Sequence, residues 1–386
     1  HIRALARALS EAPLAVPAAG DRSLLLSSAR RTVMVAPGNR SPLRIIGERI
    51  NPTGKPALQD ALRAGDLGRV KELAAEQQAQ GADLLDVNVG LPGADERRLM
   101  LDAVAALALQ VEAPLVIDSS RPEVIEAALR LYPGRALVNS LSGEKDKLER
   151  LTPILAAYGA AFIVLPLDDE GIPETLERRR EVLDRVLAAC RRHGLAPDRM
   201  VVDGLAMTVS ANPDHAAVSL ATLRHAAETL GTPTVLGLSN ISFGLPRREV
   251  LNGAFLAMAS AAGLSLVIAN PAGEPFGDLR AAADLLTGRD PGSRRYLARF
   301  AGRPAERADA RTPRPEGLRE HILAGDQSRA AAAARAALSD GTPPLRLLET
   351  ECFPAMEEIG ARYQRREAFL PQLIAAAEAM EASVGI

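Results

Sequence analysis

The feature of this chain that most constrains its fold is a regular alternation of short apolar runs with amphipathic helical stretches. The eight runs are RIIGERIN (44–51), DLLDVNVG (83–90), PLVIDSS (114–120), ALVNSL (136–141), AFIVLPLD (161–168), MVVDGLA (200–206), PTVLGLSN (233–240) and LSLVIANP (264–271). Continuous apolar runs are typical of strands buried on both faces, and the stretches between them repeat apolar residues at the helical period. Eight such units predict an α/β protein with a (β/α)8 TIM barrel. A doubly wound open sheet is the competing interpretation, and the sequence shows no evident glycine-rich dinucleotide loop to favour it.

The segments on either side of the barrel have a different character. Residues 1–43 are interpreted as an N-terminal connector from a missing upstream domain, with one or two strands between Leu24 and Val35. The barrel is predicted over 44–299, and the Arg-, Ala- and Pro-rich stretch 300–317 is predicted to be a linker. Residues 318–386 are predicted to form a small all-α four-helix bundle. Its helices are placed at about 316–324, 327–339, 343–364 and 369–384.

The composition excludes several functional classes. The chain carries 46 Lys and Arg against 48 Asp and Glu, and its aromatic content is 3% with no Trp. This balance argues against nucleic acid or an anionic membrane as the main partner. Two cysteines, Cys190 and Cys352, are too few for a disulfide framework or a four-cysteine zinc site. No metal in this chain and a cytoplasmic location are therefore expected.

Polar residues gather where the apolar runs end. They are Glu48, Asn51, Asp86, Asn88, Asp118, Ser119, Asn139, Ser140, Asp203, Asn240 and Ser242. In a barrel the carboxyl ends of the strands converge on one mouth, which is where ligands bind. The alternative interpretation is that individual members cap the helix that follows, as Asp, Asn and Ser commonly do.

The chemistry of this set suits a flat heterocycle with several N–H donors. A carboxylate can accept two parallel N–H bonds from an amino-pyrimidinone edge, and an Asn amide can both donate and accept. A phosphate site would instead use cations and backbone amides. A pterin ring fits this inventory.

These motifs resemble a known family. GERINPTGK (47–55), LDVNVGLPGADE (85–96), VIDSSRPEVIEAAL (116–129), LVNSLSGEKDK (137–147) and GLSNISFGLPRRE (237–249) look like the methyltetrahydrofolate-binding barrel of the cobalamin-dependent methionine synthase family. FPAMEEIGARYQRREAFLPQLIAAAEAM (353–380) looks like the helical cap that covers cobalamin in that family. The order of barrel and cap is that of the family.

The resemblance implies a role for each matching residue. Asp118, Asn139 and Asp203 match positions that hold the pterin edge, and Glu48 matches a residue of the same pocket. Asn240 matches the Asn that reaches the methyl-bearing nitrogen, and Arg248 matches a cation near the folate. Asp86 and Asn88 are expected to line or support the mouth. In the cap, Tyr363, Phe369, Leu370 and Leu373 match the apolar face laid over the cobalt.

The function that the resemblance implies is methyl transfer from N5 of 5-methyltetrahydrofolate to cob(I)alamin, with the cap shielding methylcobalamin. Asn240 is the expected catalytic residue, and Asp118 or Asp203 is hypothesised to take part in the network that delivers a proton to N5. Cobalamin would be held mainly by a domain absent from this chain, because no Asp-x-His-x-x-Gly motif is found. The expected partners are the folate and the cobalamin-binding, homocysteine-binding and reactivation domains of a longer protein.

Three alternatives stay open at this point. A stand-alone methyltetrahydrofolate:corrinoid protein methyltransferase shares the barrel motifs but leaves the cap unexplained. A dihydropteroate synthase shares the pterin-binding barrel, yet its Lys and Ser-x-Arg motifs are not clearly present. A folate-binding scaffold that is inactive without missing domains is the non-enzyme alternative.

Overall fold

A computed structural model of the chain describes residues 23–272, 276–300, 317–365, 367–368 and 370–385. The chain divides into two compact units, His1–Pro291 and Gly292–Ile386. No helix in the described ranges combines the length and apolarity needed to cross a bilayer.

The first unit contains a closed barrel of eight parallel strands. In chain order these are β3 (Arg44–Ile50), β4 (Leu84–Val87), β5 (Leu115–Asp118), β6 (Leu137–Ser142), β7 (Ala161–Leu165), β8 (Met200–Asp203), β9 (Thr234–Gly237) and β10 (Leu266–Ala269). Each strand pairs with its neighbour in sequence, and β10 closes the barrel against β3. The TIM-barrel prediction is confirmed, and each strand lies within one of the eight apolar runs except β6, which extends one residue beyond its run to Ser142.

Helices follow the strands around the outside of the barrel. They are α1 (Pro56–Arg63), α2 (Gly68–Ala79), α3 (Glu96–Gln110), α4 (Pro122–Leu131), α5 (Lys145–Tyr158), α6 (Leu176–Arg192), α7 (His215–Arg224), α8 (Arg248–Ala261) and α9 (Phe276–Leu286). Their buried apolar residues pack on the outward-facing strand residues in two clusters. Proline at the first positions of α1 and α4 suits their starts, because that position needs no backbone N–H.

A two-stranded hairpin packs against the interior core of the barrel. It consists of β1 (Leu24–Ser27) and β2 (Thr32–Val35), which pair antiparallel. Its inward face contributes four buried residues to the cluster that contains the first inward residues of the barrel strands. The backbone N–H of Ser27 also donates to the carbonyl of Arg135 at 3.0 Å. The neighbouring residue, Gly134, has no side chain, and a Cβ added to it would lie 2.1 Å from Ser27 O.

The predicted N-terminal connector thus needs a correction in its described part. Residues 24–35 form strands, as expected, but they pack into the barrel unit instead of merely linking it to something upstream. The alternating pattern of buried and exposed residues in β1 and β2 supplies one apolar face, which the open amino end of a barrel can bury. Residues 1–22 lie outside the described part.

The hairpin gives a matched test of the barrel core. Leu26 is 0% exposed and Leu25, its neighbour on the opposite face of β1, is 48% exposed. Leu26→Ala is expected to lower the free energy of unfolding by about 2–5 kcal/mol, because it removes packed methyl groups and leaves a cavity. Leu25→Ala is expected to change it by less than about 0.5 kcal/mol. Guanidinium denaturation of the full chain measures both, and equal losses would contradict the buried position of Leu26.

The second unit is helical in its described part. It contains α10 (Arg294–Phe300), α11 (Leu318–Leu323), α12 (Gln327–Ser339), α13 (Pro344–Leu347), α14 (Phe353–Gln364) and α15 (Leu370–Val384). A π-helical turn, Leu348–Cys352, joins α13 to α14, so the predicted helix 343–364 is continuous but not uniformly α-helical. Leu318, Ile322, Ala355 and Ile359 are buried at its core with small residues of α12 and α15.

The division at Pro291 differs from the predicted barrel end at residue 299, because α10 clusters with the second unit. Residues 301–316, most of the predicted linker, lie outside the described residues.

Candidate functional site

Strand periodicity alone places a ring of polar side chains inside the barrel mouth. Successive side chains of a strand point to opposite faces, so residues two apart share a face. The inward residues near the strand starts, which pack together in the interior cluster, include Ile46, Leu84, Val116, Leu137 and Val201. Two positions later in the same strands stand Glu48, Asp86, Asp118, Asn139 and Asp203. The predicted residues therefore lie on the inner face, at the carboxyl ends of five strands.

Hydrogen bonds engage three of these residues, Asp86, Asp118 and Asn139, together with Asn88, which follows β4. The Asn139 amide Nδ2 donates to Asp86 Oδ1 at 3.2 Å, and the Asn88 amide Nδ2 donates to Asp118 Oδ2 at 2.9 Å. Asn88 Oδ1 accepts from the N–H of Gly90 at 3.0 Å, so both ends of its amide are engaged within the protein. Asn88 thus supports Asp118, whereas Asn139 donates its amide to Asp86.

Asp86 and Asp118 lie close enough for each carboxyl to affect the pKa of the other. Burial raises the pKa of Asp86 well above its ordinary value, and the negative charge of Asp118 raises it further. Burial also raises the pKa of Asp118, against the lowering effect of its bond from Asn88. Two adjacent carboxyls in a buried site cannot both be ionised cheaply, so burial and mutual repulsion favour the protonated form of one of them.

Asp203 lies on the inner face at the end of β8 and is nearly buried. Its Oδ1 accepts the N–H of Leu205 at 2.7 Å. Burial raises the pKa of Asp203 to about 6, although the Leu205 N–H and the charge of Arg179 both favour the ionised form. Arg179 is a functional candidate that the sequence did not reveal, because it stands in the run of three arginines 178–180.

Glu48 faces two cations at the mouth. Burial raises the pKa of Glu48, and the charges of Lys55 and Arg248 oppose that rise. Glu48 also acts electrostatically on Asp86, which places it beside the carboxyl pair. Lys55 belongs to the GERINPTGK motif but was not assigned a role from the sequence.

Asn240 lies in a short helical turn, Leu238–Ser242, that follows β9, and it is exposed. A Cβ at Gly237 would lie 3.0 Å from Asn240 Nδ2, so the absence of a side chain at the end of β9 makes room for this amide. Arg248 holds the turn on both sides of Asn240. It donates Nη2 to the carbonyl of Ser239 at 2.6 Å and Nε to Ser242 Oγ at 3.0 Å.

Two other strand-end residues bond to the backbone of the turn that follows, although neither of them caps the next helix. Asn51 Oδ1 accepts the N–H of Thr53 at 3.0 Å, and Ser119 Oγ accepts the N–H of Arg121 at 3.1 Å. Both side chains organise local turns. The inward residues Asp86, Asp118 and Asn139 instead bond to side chains far away in the sequence, which local capping does not explain.

The predicted cap residues are described only in part. Tyr363, near the end of α14, is 42% exposed, whereas Leu373 of α15 is half-buried against the helical core. Phe369 lies outside the described residues, and so does the side chain of Leu370, whose backbone begins α15. Ile374, next to Leu373, is exposed, so Tyr363 and Ile374 present apolar surface on either side of the turn between these helices. Among the described residues no group of three or more His, Cys, Asp or Glu side chains is arranged to hold a metal ion.

Comparison with protein families gives two matches along the chain. Residues 47–270, which contain all the barrel strands except the first residues of β3, match the family described as pterin binding enzyme. Residues 315–386 match a second family, described as B12 binding domain.

Curated relatives of two kinds are similar to this chain. Methionine synthase of Mycobacterium leprae is 27% identical over 420 residues, covering 100% of this chain and 34% of that protein. Methionine synthase of Mycobacterium tuberculosis is 28% identical, covering 88% of this chain and 31% of that protein. The methylcorrinoid:tetrahydrofolate methyltransferase of Eubacterium limosum is 30% identical over 265 residues, covering 66% of this chain and 95% of that protein. The chain thus spans about a third of the length of the methionine synthases.

Solved structures share the barrel fold. Dihydropteroate synthase of Xanthomonas albilineans aligns with a TM-score of 0.53 at 20% identity, covering 68% of this chain and 99% of that one. The dihydropteroate synthase of Coxiella burnetii aligns with a TM-score of 0.53 at 17% identity, covering 69% of this chain and 100% of that one. At these identities the likeness concerns the fold.

Proposed function

This chain belongs to the family of pterin-binding enzymes and is similar to cobalamin-dependent methionine synthase, with a B12-binding domain after its barrel, and from that premise we propose that it transfers the methyl group of 5-methyltetrahydrofolate to a cobalamin. The observation that carries the proposal is the arrangement of the mouth. Inward carboxylates and an amide lie on one side of the barrel, and the Asn240 turn follows a strand next to Asp203. The methionine synthases and the methyltransferase of Eubacterium limosum support it by their names.

Asp203 and Asn139 suit the pyrimidinone edge of the pterin. An ionised carboxylate accepts two parallel N–H bonds, and the 2-amino group and the adjacent ring N–H of a pterin supply them. The Asn139 amide donates to Asp86, which leaves its carbonyl oxygen for a further donor of the ring. A proton on one carboxyl of the Asp86–Asp118 pair reduces the negative charge at the mouth and supplies a donor for a ring nitrogen or carbonyl.

The chemical difficulty of the reaction is the leaving group. As the bond between N5 and the methyl carbon breaks, its electron pair remains on N5, which must gain a proton or a strong hydrogen bond. Asn240 is placed to hydrogen-bond this nitrogen in our proposal, since its amide can donate as well as accept. The amide is not an acid, so the proton arrives through water from the carboxyls of the mouth. Tetrahydrofolate is then released.

Cobalamin, when bound, supplies a cobalt(I) nucleophile, so the difficult electronic chemistry belongs to the cofactor. The exposed Tyr363 and Ile374 of the helical unit fit an apolar cover for such a group. This chain's own residues contribute orientation of the folate, exclusion of water and charge matching.

A second candidate is a stand-alone transferase that exchanges methyl groups with a separate corrinoid protein. The coverage of 95% of the Eubacterium limosum protein by the barrel favours it. The match of residues 315–386 to a B12-binding domain, and the alignment of a methionine synthase along the whole chain, favour the first candidate.

The test is a spectrophotometric assay with the full chain, 5-methyltetrahydrofolate and free cob(I)alamin. The expected result is disappearance of the cobalt(I) absorbance with equimolar formation of tetrahydrofolate. Tight folate binding without turnover would support the scaffold alternative instead. A lack of both binding and turnover would refute the proposal.

The pKa of Asp203 predicts how folate binding depends on pH. The bound pterin needs the ionised carboxylate, and the free protein protonates it as the pH falls through about 6. The Kd for 5-methyltetrahydrofolate is therefore expected to rise as the pH is lowered from 7 to 5. Titrating Asp203→Asn in parallel removes this group while retaining the titration of the folate itself. Identical pH profiles for the two proteins would contradict the role of Asp203.

A further inference from the structure

Arg179 is a fully buried arginine behind the predicted site. It is the fourth residue of α6 and is 1% exposed, whereas its neighbour Arg180 is exposed. Burying a guanidinium is costly unless its N–H groups are bonded and its charge is balanced. The hydrogen-bond acceptors of Arg179 therefore indicate the structural role of this residue.

The guanidinium reaches three segments of the barrel wall. Nε donates to the carbonyl of Pro173 at 3.0 Å, in the loop before α6. Nη1 donates to the carbonyl of Gly204 at 2.8 Å and to Thr222 Oγ1 of α7 at 3.2 Å. Nη2 donates to the carbonyl of Leu205 at 3.3 Å. All four acceptors are uncharged, and two of them belong to the turn directly after Asp203.

That turn sets the direction of the Asp203 carboxylate. The N–H of Leu205 binds Asp203 Oδ1 at 2.7 Å, and Leu205 itself has φ 49°, in the left-handed region that a leucine rarely adopts. Such a conformation persists where surrounding contacts hold it. The contacts present are those of Arg179 with both carbonyls of the turn, together with the bond from Ser219 Oγ to Gly204 O at 2.8 Å.

The negative charge of Asp203 also balances the positive charge of Arg179. Burial lowers the pKa of Arg179 to about 10, so it stays protonated at neutral pH, and the charge of Asp203 opposes that lowering. Within the described residues, Arg179 is the charged group whose field acts on Asp203. The two buried charges therefore stabilise one another across the Gly204–Leu205 turn.

We propose that Arg179 is a positioning residue for Asp203: it holds from behind the turn that aims this carboxylate into the barrel mouth, and it supplies the counter-charge. The link to folate rests on the proposed function, in which Asp203 binds the pterin edge. The link to Asp203 itself does not, because it concerns the protein without ligand.

Two variants separate the charge of Arg179 from its hydrogen bonds. Arg179→Gln keeps an amide donor but removes the charge, and Arg179→Lys keeps the charge but loses the planar fork. Arg180→Gln, on the exposed side of the same helix, is the matched control. Carboxyl carbon-13 NMR of aspartate-labelled protein without ligand measures the pKa of Asp203, whose resonance is the one missing from Asp203→Asn.

In Arg179→Gln the pKa of Asp203 is expected to rise measurably, since the charge of Arg179 lowers it in the wild-type protein. The pH at which 5-methyltetrahydrofolate binding weakens should rise with it. In Arg179→Lys the pH at which folate binding weakens should stay near the wild-type value, because the charge is kept. The Kd for 5-methyltetrahydrofolate should increase several-fold, because an ammonium group cannot replace the guanidinium bonds to the Gly204 and Leu205 carbonyls. Arg180→Gln should match the wild type in both measurements.

An unchanged pKa of Asp203 in folded Arg179→Gln would overturn the proposal, and so would wild-type folate affinity in Arg179→Lys. If the wild-type protein binds no folate, the proposed function fails while the NMR titration still tests the connection between Arg179 and Asp203. A purely structural arginine would lower thermal stability in both variants without moving the titration of Asp203.

Discussion

Replacing Asn240 with alanine is expected to lower the rate of methyl transfer to cob(I)alamin by roughly 10²–10³-fold, the range typical of a lost hydrogen bond to a group that gains charge in the transition state. The Kd for 5-methyltetrahydrofolate is expected to change by less than about tenfold. The reason for the difference is that the bond to N5 strengthens only as the nitrogen becomes basic during the reaction. The Gly237 position leaves space for this amide, and the Arg248 bonds hold its turn, so the alanine variant should retain the surrounding geometry.

Single-turnover absorbance changes measure the rate, and a separate equilibrium titration measures the affinity. Asn212→Ala is the matched control. Asn212 lies in the loop after β8, and its Oδ1 accepts the N–H of Asp214 at 2.9 Å, so its amide serves a local turn. It should leave the rate within about twofold of wild type. Equal losses of rate and affinity in Asn240→Ala would assign Asn240 to folate binding alone.

Replacing Asp203 with asparagine is expected to weaken binding of 5-methyltetrahydrofolate by roughly 10- to 150-fold, because a hydrogen bond to a charged group contributes about 1.5–3 kcal/mol. One oxygen of the side chain is engaged by the Leu205 N–H. An asparagine that keeps this bond turns its NH₂ group toward the pterin donors, so two donors would face one another. The loss therefore includes a repulsive contribution as well as a missing bond.

The control for this variant is Asp198→Asn, an exposed aspartate in the 3-10 turn before β8. It makes the same chemical change close to the opposite end of the same strand. Isothermal titration at neutral pH compares both with the wild type. Wild-type affinity in a folded Asp203→Asn protein would remove this residue from the pterin edge.

The positions of the barrel strands followed from the sequence because buried parallel strands need continuous apolar runs. Seven strands fall inside the predicted runs and β6 extends one residue beyond its run, and the four helices predicted for the C-terminal unit have counterparts close to the expected bounds. The inward direction of Asp86, Asp118 and Asn139 could equally be predicted from strand periodicity, since each stands two positions after an apolar residue of the interior cluster.

The different roles of the polar residues at the strand ends could not be predicted from the sequence in this way. Asn51 and Asp203 each accept the N–H of the residue two positions later, yet Asp203 is buried on the inner face whereas Asn51 is only half-buried. Arg179 is one of three consecutive arginines, and burial selects it alone from that run. The packing of the N-terminal hairpin into the barrel core also could not be predicted from the sequence, because a short amphipathic hairpin does not specify which surface it covers.

The sequence by itself determined where the strands lie and which chemical groups stand at their carboxyl ends, because hydrophobic periodicity is a local property of the chain. Only the tertiary structure decided which carboxyls lie close enough to affect each other's pKa, which arginine lies behind Asp203, and that Gly237 leaves space for Asn240. These features depend on burial and on the distance between groups far apart in sequence, and both are set when the barrel closes.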